Sequence, residues 1–435
     1  MKVKSLSYKK GISLPKIKSI TASQEVKRLE APKYVYISVK QAKGVLPKPI
    51  VVVGDHVKIG SLVASYGDNK VYSTVSGDVV KVEPMPSVYG GLVDTIVIEN
   101  DYKDEKELIC SPGETSSEGI FQAIKDGNIV DYDGISLYTK IEKAKDISML
   151  VINAVTDEPY ETTNLEIIKS NIKEVVEGAK IIAEQIKTKS VTLAISKDYY
   201  SEVKNVLTDE IWGEGGKDFS ILLCPNCYPV GDEAELYSAI KKRNLKPGEN
   251  AIGKGVFIVD IYTLYMVSKL FEDCVADVDR LISVYDATQN QPIVTNVVAR
   301  VGTDIKEIIQ SVRSAGLLGI RKVVAGGPMR GIALGDALAP ITKGLKSVIL
   351  FKNRIAEEPR EIACINCGKC QAVCPKNISP KDIGMFTENF DMVMAKKLGA
   401  EECTKCGCCS YVCPSKRHLA QRISYAKDYI KDKGI

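Results

Sequence analysis

Two stretches near the end of the chain share one cysteine spacing, and this repeat constrains the fold more than any other feature. Residues 364–375 read CINCGKCQAVCP and residues 403–414 read CTKCGCCSYVCP, each fitting C-x₂-C-x₂-C-x₃-C-P. Nine of the 13 cysteines fall between Cys364 and Cys413. A disulfide framework in a large cytosolic chain does not explain that density. The chain has only two histidines, His56 and His418, which argues against His-based zinc catalysis and bis-histidine haem.

Paired runs of this form are the ligand pattern of two-cluster ferredoxins. A cubane presents four iron corners, and tight x₂ turns let three thiolates wrap three of them. The fourth thiolate comes from the other run. One 4Fe–4S cluster is therefore expected on Cys364, Cys367, Cys370 and Cys413, and a second on Cys403, Cys406, Cys409 and Cys374. Gly368 and Gly407 leave room for backbone N–H groups to turn toward the sulfurs, and Pro375 and Pro414 remove a backbone donor where each loop ends. Cys408 is out of phase and reads as a small buried packing residue. The alternative is two Cys₄ zinc sites, but zinc ribbons pair C-x₂-C units across a longer gap and have no need of this longer run. The segment between the runs, SPKDIGMFTENFDMVMAKKLGA, has helical periodicity.

At 435 residues the chain exceeds one core and should divide into several domains. It is 45% apolar and 26% charged with a net charge of +4, a soluble globular mix that gives no reason to expect nucleic acid. No apolar run approaches the roughly 20 residues of a bilayer span. The opening MKVKSLSYKKGISLPK has no apolar h-region, so a cytoplasmic location is expected. Residues 34–100 look all-β: YVYISV, PIVVV, KVYSTV, GDVVKV and DTIVIEN alternate with Gly, Asp and Pro turns. VGDHVKIGSLVA and STVSGDVVKVEP resemble the two halves of a lipoyl- or biotinyl-type barrel-sandwich. In the turn YGDNKVYS, Lys70 is the one candidate for a carrier lysine and reads as a solvated turn residue. His56 should face solvent.

From about residue 118 to 279, apolar runs of strand length (SMLVINAV, SVTLAIS, DFSILLC, GVFIVDI) alternate with helical stretches such as TTNLEIIKSNIKEVVEGAKIIAEQIK and GDEAELYSAIKKRN. That alternation predicts a parallel sheet covered by helices, with any nucleotide at the carboxyl ends of the strands. LISVYDA, PIVTNVVARVGT, the helix TDIKEIIQSVRSAG and the loop AGGPMRG form a smaller α+β module, and the basic helix RISYAKDYIKDK closes the chain. The predicted domains are 1–117, 118–280, 281–350 and 351–435. In LLCPNCYPVGDE, Cys224 and Cys227 form a C-x-x-C at a strand end, a candidate redox dithiol if a helix N-terminus lowers the first thiol's pKa. Cys110 and Cys274 stand in no motif and read as structural.

With these parts in order, the chain resembles the C subunit of the Rnf electron-transport complex and its soluble relatives. VGDHVKIGSLVA, VGTDI, AGGPMRGIAL, CINCGKCQAVCP and CTKCGCCSYVCPSK carry the resemblance. It implies a multidomain α/β and α+β architecture: an N-terminal β barrel-sandwich hybrid, an α/β domain like the NADH- and FMN-binding 51-kDa subunit of complex I, a soluble-ligand-binding (SLBB-like) β-grasp, and a two-cluster ferredoxin domain. The family's flavin loop, G-x-G-G-A-x-F-P-T, falls on Asp131–Thr139, where only Gly134 and Thr139 match. Its N-A-x-E-C-E-P-Y stretch appears as NAVTDEPY, where Asn153, Glu158, Pro159 and Tyr160 match. Gly134, Thr139, Asn153 and Glu158 are thus the family's FMN and NADH positions. Asp131 and Asp133 put carboxylates where a flavin phosphate should lie, a repulsion of several kcal/mol in a low-dielectric site by a rough Coulomb argument.

The departures point, within the family, to the soluble protein associated with D-proline reductase. The resulting reading is an electron-transfer protein that passes electrons from an NADH-linked donor through two clusters to a reductase. Lys369, Lys376, Lys405 and Lys416 would steer an acidic protein partner. The other reading is the peripheral C subunit of the Rnf complex, carrying FMN and docked on membrane subunits.

Overall fold

The four apolar runs are buried on both faces, as helix-covered parallel strands must be. In the computed structural model they form strands Met149–Ala154, Ser190–Ser196, Asp218–Cys224 and Val256–Asp260. The structure describes residues 2–15, 26–41, 46–111, 113–114, 116–131, 134–208, 218–246, 248–289, 292–352 and 360–434. The sheet order is Lys2–Ser5, Asp218–Cys224, Ser190–Ser196, Met149–Ala154, Val256–Asp260, with all pairings parallel. The chain lays strands outward from Met149–Ala154 and then returns to its other side. Such a reversal opens a crevice at the strands' carboxyl ends.

Leu150, Ile152, Leu193 and Phe257 form the core beneath helices Thr163–Gln185 and Ile261–Asp273. The edge strand Lys2–Ser5 was not legible in the sequence: a KVKS run exposed along its length carries no apolar signal. It pairs with residues 220–223, so the first residues belong to the α/β sheet and not to the barrel-sandwich within the expected 1–117 unit.

The barrel-sandwich consists of two antiparallel sheets. One has the order Tyr34–Ser38, Leu92–Asn100, Gly77–Pro86, His56–Val57, and the other Lys48–Pro49, Leu62–Tyr66, Asn69–Tyr72. Val35, Ile37, Val63, Ile96 and Ile98 pack between them. Lys70 is not a solvated turn residue. It lies in the Asn69–Tyr72 strand, and its ammonium pairs with Asp126 at 2.5 Å, tying the barrel to helix Ser117–Asp126. His56 is exposed, with Nδ1 2.7 Å from Asp78.

The third unit is a mixed sheet in the order Ile332–Leu334, Lys322–Ala325, Ser347–Phe351, Asp279–Ala287, Ile293–Arg300, Lys27–Arg28. It is backed by helix Ile305–Val312, which Asp304 caps by accepting the Glu307 N–H at 2.7 Å. It docks on the α/β unit through buried hydroxyls: Thr162 and Ser283 both donate to Asn296 Oδ1, at 2.9 and 2.8 Å. The last unit packs helices Pro380–Glu388, Met392–Lys397 and Leu419–Lys433 around Ile383, Met392, Ile423 and Ile430. Among the described residues no helix is long and apolar enough to cross a membrane.

Helix Thr163–Gln185 meets Ile261–Asp273 at Gly178, where an added Cβ would lie 2.0 Å from the Leu264 carbonyl oxygen. Gly178→Ala should therefore force the helices apart and destabilise the protein by about 1–3 kcal/mol, read as a lowered melting temperature.

Candidate functional site

The two cysteine runs fold alike. In each, C-x₂-C-x₂-C closes through two left-handed residues at matching positions, Asn366 and Gly368 in the first and Lys405 and Gly407 in the second. The turn aims backbone N–H groups at sulfur: Asn366 N donates to Cys364 Sγ at 3.5 Å and Lys405 N to Cys403 Sγ at 3.4 Å. A short helix follows each turn, Lys369–Ala372 and Cys408–Tyr411. The structure gathers Cys364, Cys367, Cys370 and Cys413 around one void. It gathers Cys374, Cys403, Cys406 and Cys409 around another, which Cys408 also borders. Among the described residues no group of three or more His, Cys, Asp or Glu side chains is arranged to hold a single metal ion.

The two rings sit at different depths. Cys364 and Cys367 are exposed, whereas Cys374, Cys403, Cys406 and Cys409 are all buried. Burial pushes the Cys374 thiol up, and the amides of Lys376, Ile378 and Asn377 oppose it. Those donors are what a buried thiolate needs. Cys408 occupies the helix position that Lys369 holds in the first run. Lys369 is exposed, while Cys408 is fully buried with Ile12, Leu14 and Tyr228. The second run faces the protein, and a lysine there would be stranded. Lys376 pairs with Glu235 at 3.2 Å and Lys405 with Asp428 at 2.8 Å, so two of the four steering lysines are engaged within the chain.

A cavity of ≈ 260 Å³ lies at the strand reversal, between the α/β sheet and the AGGPMRG loop. Asn153 and Glu158 line it, while Gly134 and Thr139 do not. Asn153 Nδ2 donates to the Gly231 carbonyl at 2.8 Å. Glu158 Oε2 accepts the Met329 N–H at 3.0 Å, and burial pushes this carboxyl up to about 7. Asp131, which also lines the cavity, is not left as a bare carboxylate. Lys140 sits 2.8 Å from it and 2.9 Å from Glu233, buried between the two. Burial opposes a charge on Lys140, but the two carboxylates outweigh it and raise the pKa. Sequence reading missed Lys140, which is one lysine among many until the fold brings it to Asp131. Tyr132 and Asp133 lie outside the described residues.

Known proteins match the chain in the same order as its units. Residues 6–103 match the family described as the RnfC barrel sandwich hybrid domain, 124–269 the Nuo51 FMN-binding domain, and 363–416 the 4Fe-4S dicluster domain. The C subunit of the Na(+)-translocating ferredoxin:NAD(+) oxidoreductase complex of Acetobacterium woodii is 28% identical, covering 98% of both chains. Its counterpart in the proton-translocating ferredoxin:NAD(+) oxidoreductase complex of Clostridium ljungdahlii is 27% identical over 87% of this chain and 84% of that protein. Along its length the chain is similar to RnfC-like proteins. It spans about half of a longer relative, the C subunit of the ion-translocating oxidoreductase complex of Haemophilus influenzae (28% identity, 88% of this chain, 48% of that protein). An NAD+-reducing [NiFe]-hydrogenase shares the fold, with a TM-score of 0.52 at 13% identity over 72% of this chain and 63% of that chain.

The chain carries its two 4Fe–4S clusters in the dicluster region, and the amide-ringed thiols fit them. The FMN-binding domain keeps its fold, so FMN remains possible, but described amides of its phosphate loop are already engaged. Gly134 N donates to the Asp131 carbonyl at 3.0 Å and Ile135 N to Asp131 Oδ1 at 2.8 Å. These are loop amides that a phosphate would need, and the Asp131–Lys140 ion pair stands beside them. Cys224 and Cys227 also depart from expectation. Burial, followed by the charge of Asp157, pushes both thiols up, opposite to the lowering that an attacking thiolate needs. Cys227 Sγ donates to the Lys10 carbonyl at 2.9 Å, and Cys224 packs in the sheet core.

Two outcomes follow. FMN titrated into the anaerobically prepared protein should keep its free fluorescence, and quenching at micromolar concentration would show that the loop opens. Because the Glu158 pKa is raised, its stabilising contribution is complete below the ordinary carboxyl value and is lost as pH rises through about 7. Glu158→Gln keeps an acceptor for Met329 N and does not titrate. Its melting temperature should gain on the wild type as pH rises through that window, by a few degrees on the order expected for about 1 kcal/mol.

Proposed function

We propose that the chain is a one-electron relay of the Rnf C-subunit type, with Cys364, Cys367, Cys370 and Cys413 holding an outer cluster and Cys403, Cys406, Cys409 and Cys374 an inner one. The observation that carries this reading is the pair of four-thiol rings at unequal depth. When bound, such clusters supply single-electron acceptance and release. The chain excludes water from the inner ring with Tyr228, Ile12 and Leu14. It leaves the outer ring open beside the exposed side chains of Ile362 and Ile365. A partner can reach the outer ring at close range, and the inner ring faces the α/β crevice.

The relatives are named as subunits of ferredoxin:NAD(+) oxidoreductase complexes. We therefore assign this chain an NADH-linked donor and a docked, peripheral place among Rnf-type subunits, with electrons crossing through the outer ring. One observation favours a second destination, a soluble reductase such as D-proline reductase: the phosphate loop is closed by Asp131, as suits a carrier that handles no flavin.

Anaerobic reconstitution should give iron and acid-labile sulfide sufficient for both clusters and a two-component EPR signal on reduction. Material containing zinc or no iron ends the reading. Ile365→Asp should slow electron exchange with a protein partner by ~10-fold, the equivalent of about 1.4 kcal/mol, while the reaction with a small viologen stays unchanged. Cofractionation with membranes supports docking on Rnf-type subunits. A purely soluble protein that is captured by D-proline reductase supports the second destination.

A further inference from the structure

The AGGPMRG loop and the Tyr228 turn are recognisable in the sequence, yet the relay described above gives the loop no task and Tyr228 only that of excluding water. In the fold they converge on the inner ring. Tyr228 is buried, and its hydroxyl donates to the Cys406 carbonyl at 2.6 Å, across 178 positions of sequence. The Arg330 guanidinium lies 5.5 Å from the centre of the Tyr228 ring and is ion-paired with Asp232. The loop that carries Arg330 presses on the cluster loop itself: a Cβ on Gly407 would lie 2.8 Å from the Met329 carbonyl oxygen. Glu158 fixes the same loop from the other side by accepting the Met329 N–H.

We propose that Arg330 and Tyr228 set the reduction potential of the inner cluster, holding it above the value that its burial alone would give. This rests on the ligand assignment proposed above. Reduction adds one negative charge to a centre already ringed by thiolates, and burial away from water disfavours that charge. A guanidinium held beside the Tyr228 ring by Asp232 favours it by Coulomb attraction, reduced by the exposure of Arg330 to solvent. The Tyr228 hydroxyl adds a dipole whose positive end points at the Cys406 peptide, acting in the same direction with less strength. Asp232 offsets part of the guanidinium charge and holds it in place, so Arg330 has a fixed position rather than a mobile one. Around the outer ring Lys381 and Arg417 border the void, and Arg417 is held by Glu388 at 2.7 Å. Arg330 and Tyr228 stand on the inner ring's side, so changes to them should reach that cluster alone.

The test is a redox titration of the full chain, prepared anaerobically and followed by EPR, with the inner signal assigned as the one lost in Cys403→Ala. Arg330→Gln should move the inner potential to a more negative value and leave the outer one in place. Tyr228→Phe should give a smaller shift of the same sign, and Arg330→Lys should stay near the wild type. Full iron content with both potentials unmoved in Arg330→Gln overturns the proposal, and so do equal shifts of both clusters. If Arg330→Gln loses iron, Tyr228→Phe decides, since it removes one hydroxyl without altering charge, and an unmoved inner potential overturns the proposal. Wild-type protein without iron would instead refute the relay itself.

Discussion

Each cysteine run gives its last thiol to the other ring, and most of the C-terminal architecture follows from that exchange. Cys374 must reach the void that Cys403, Cys406 and Cys409 enclose, while Cys413 must reach the first. The loops cannot fold separately, so the helices between and after them act as a brace. Ile383, Met392, Ile423 and Ile430 fill the space beneath the loops, and the Lys427 ammonium donates to the Cys403 carbonyl at 2.8 Å. The repeat is near-symmetric in backbone and asymmetric in surroundings. One copy faces solvent and carries Lys369, and the other faces the α/β unit and carries Cys408.

The crevice between the α/β sheet and the mixed sheet of the third unit shows how a fold outlasts one detail of its site. The strand reversal, Asn153 and Glu158 all remain where the architecture puts them. Among the described residues, Asp131, Glu158, Glu161, Asp232, Glu233 and Asp260 line the space against only Lys140, Arg330 and Lys346. Each of the three cations is already paired with one of those carboxylates. An anionic group entering would find no uncommitted positive charge among them, and it would meet a field of the wrong sign.

Features fixed by spacing or by burial on both faces were legible in the sequence. The cysteine pattern depends on cluster geometry, and runs such as SVTLAIS read as strands because a buried parallel strand is apolar throughout. Pairings between distant segments were not legible. Lys70 looked like a turn lysine because nothing local marks Asp126 as its partner. Lys140, Tyr228 and Arg330 became meaningful only when the fold brought them to Asp131, Cys406 and Asp232. The Cys224–Cys227 pair shows a limit of the opposite kind. Its spacing suggested redox chemistry, but thiol reactivity depends on surroundings that spacing does not specify, and here burial raises both thiols.

The strand Lys2–Ser5 completes the edge of a sheet whose neighbouring strand is Asp218–Cys224. During synthesis, residues 2–5 must therefore wait, unpaired, until residues 220–223 have emerged. Contacts of such long sequence separation form slowly. Lysines at Lys2 and Lys4 suit that interval, because charge on an unpaired strand discourages premature association with other nascent chains. The barrel-sandwich, complete by Asn100, can meanwhile gather its own core and hold the waiting segment close to where it will be needed.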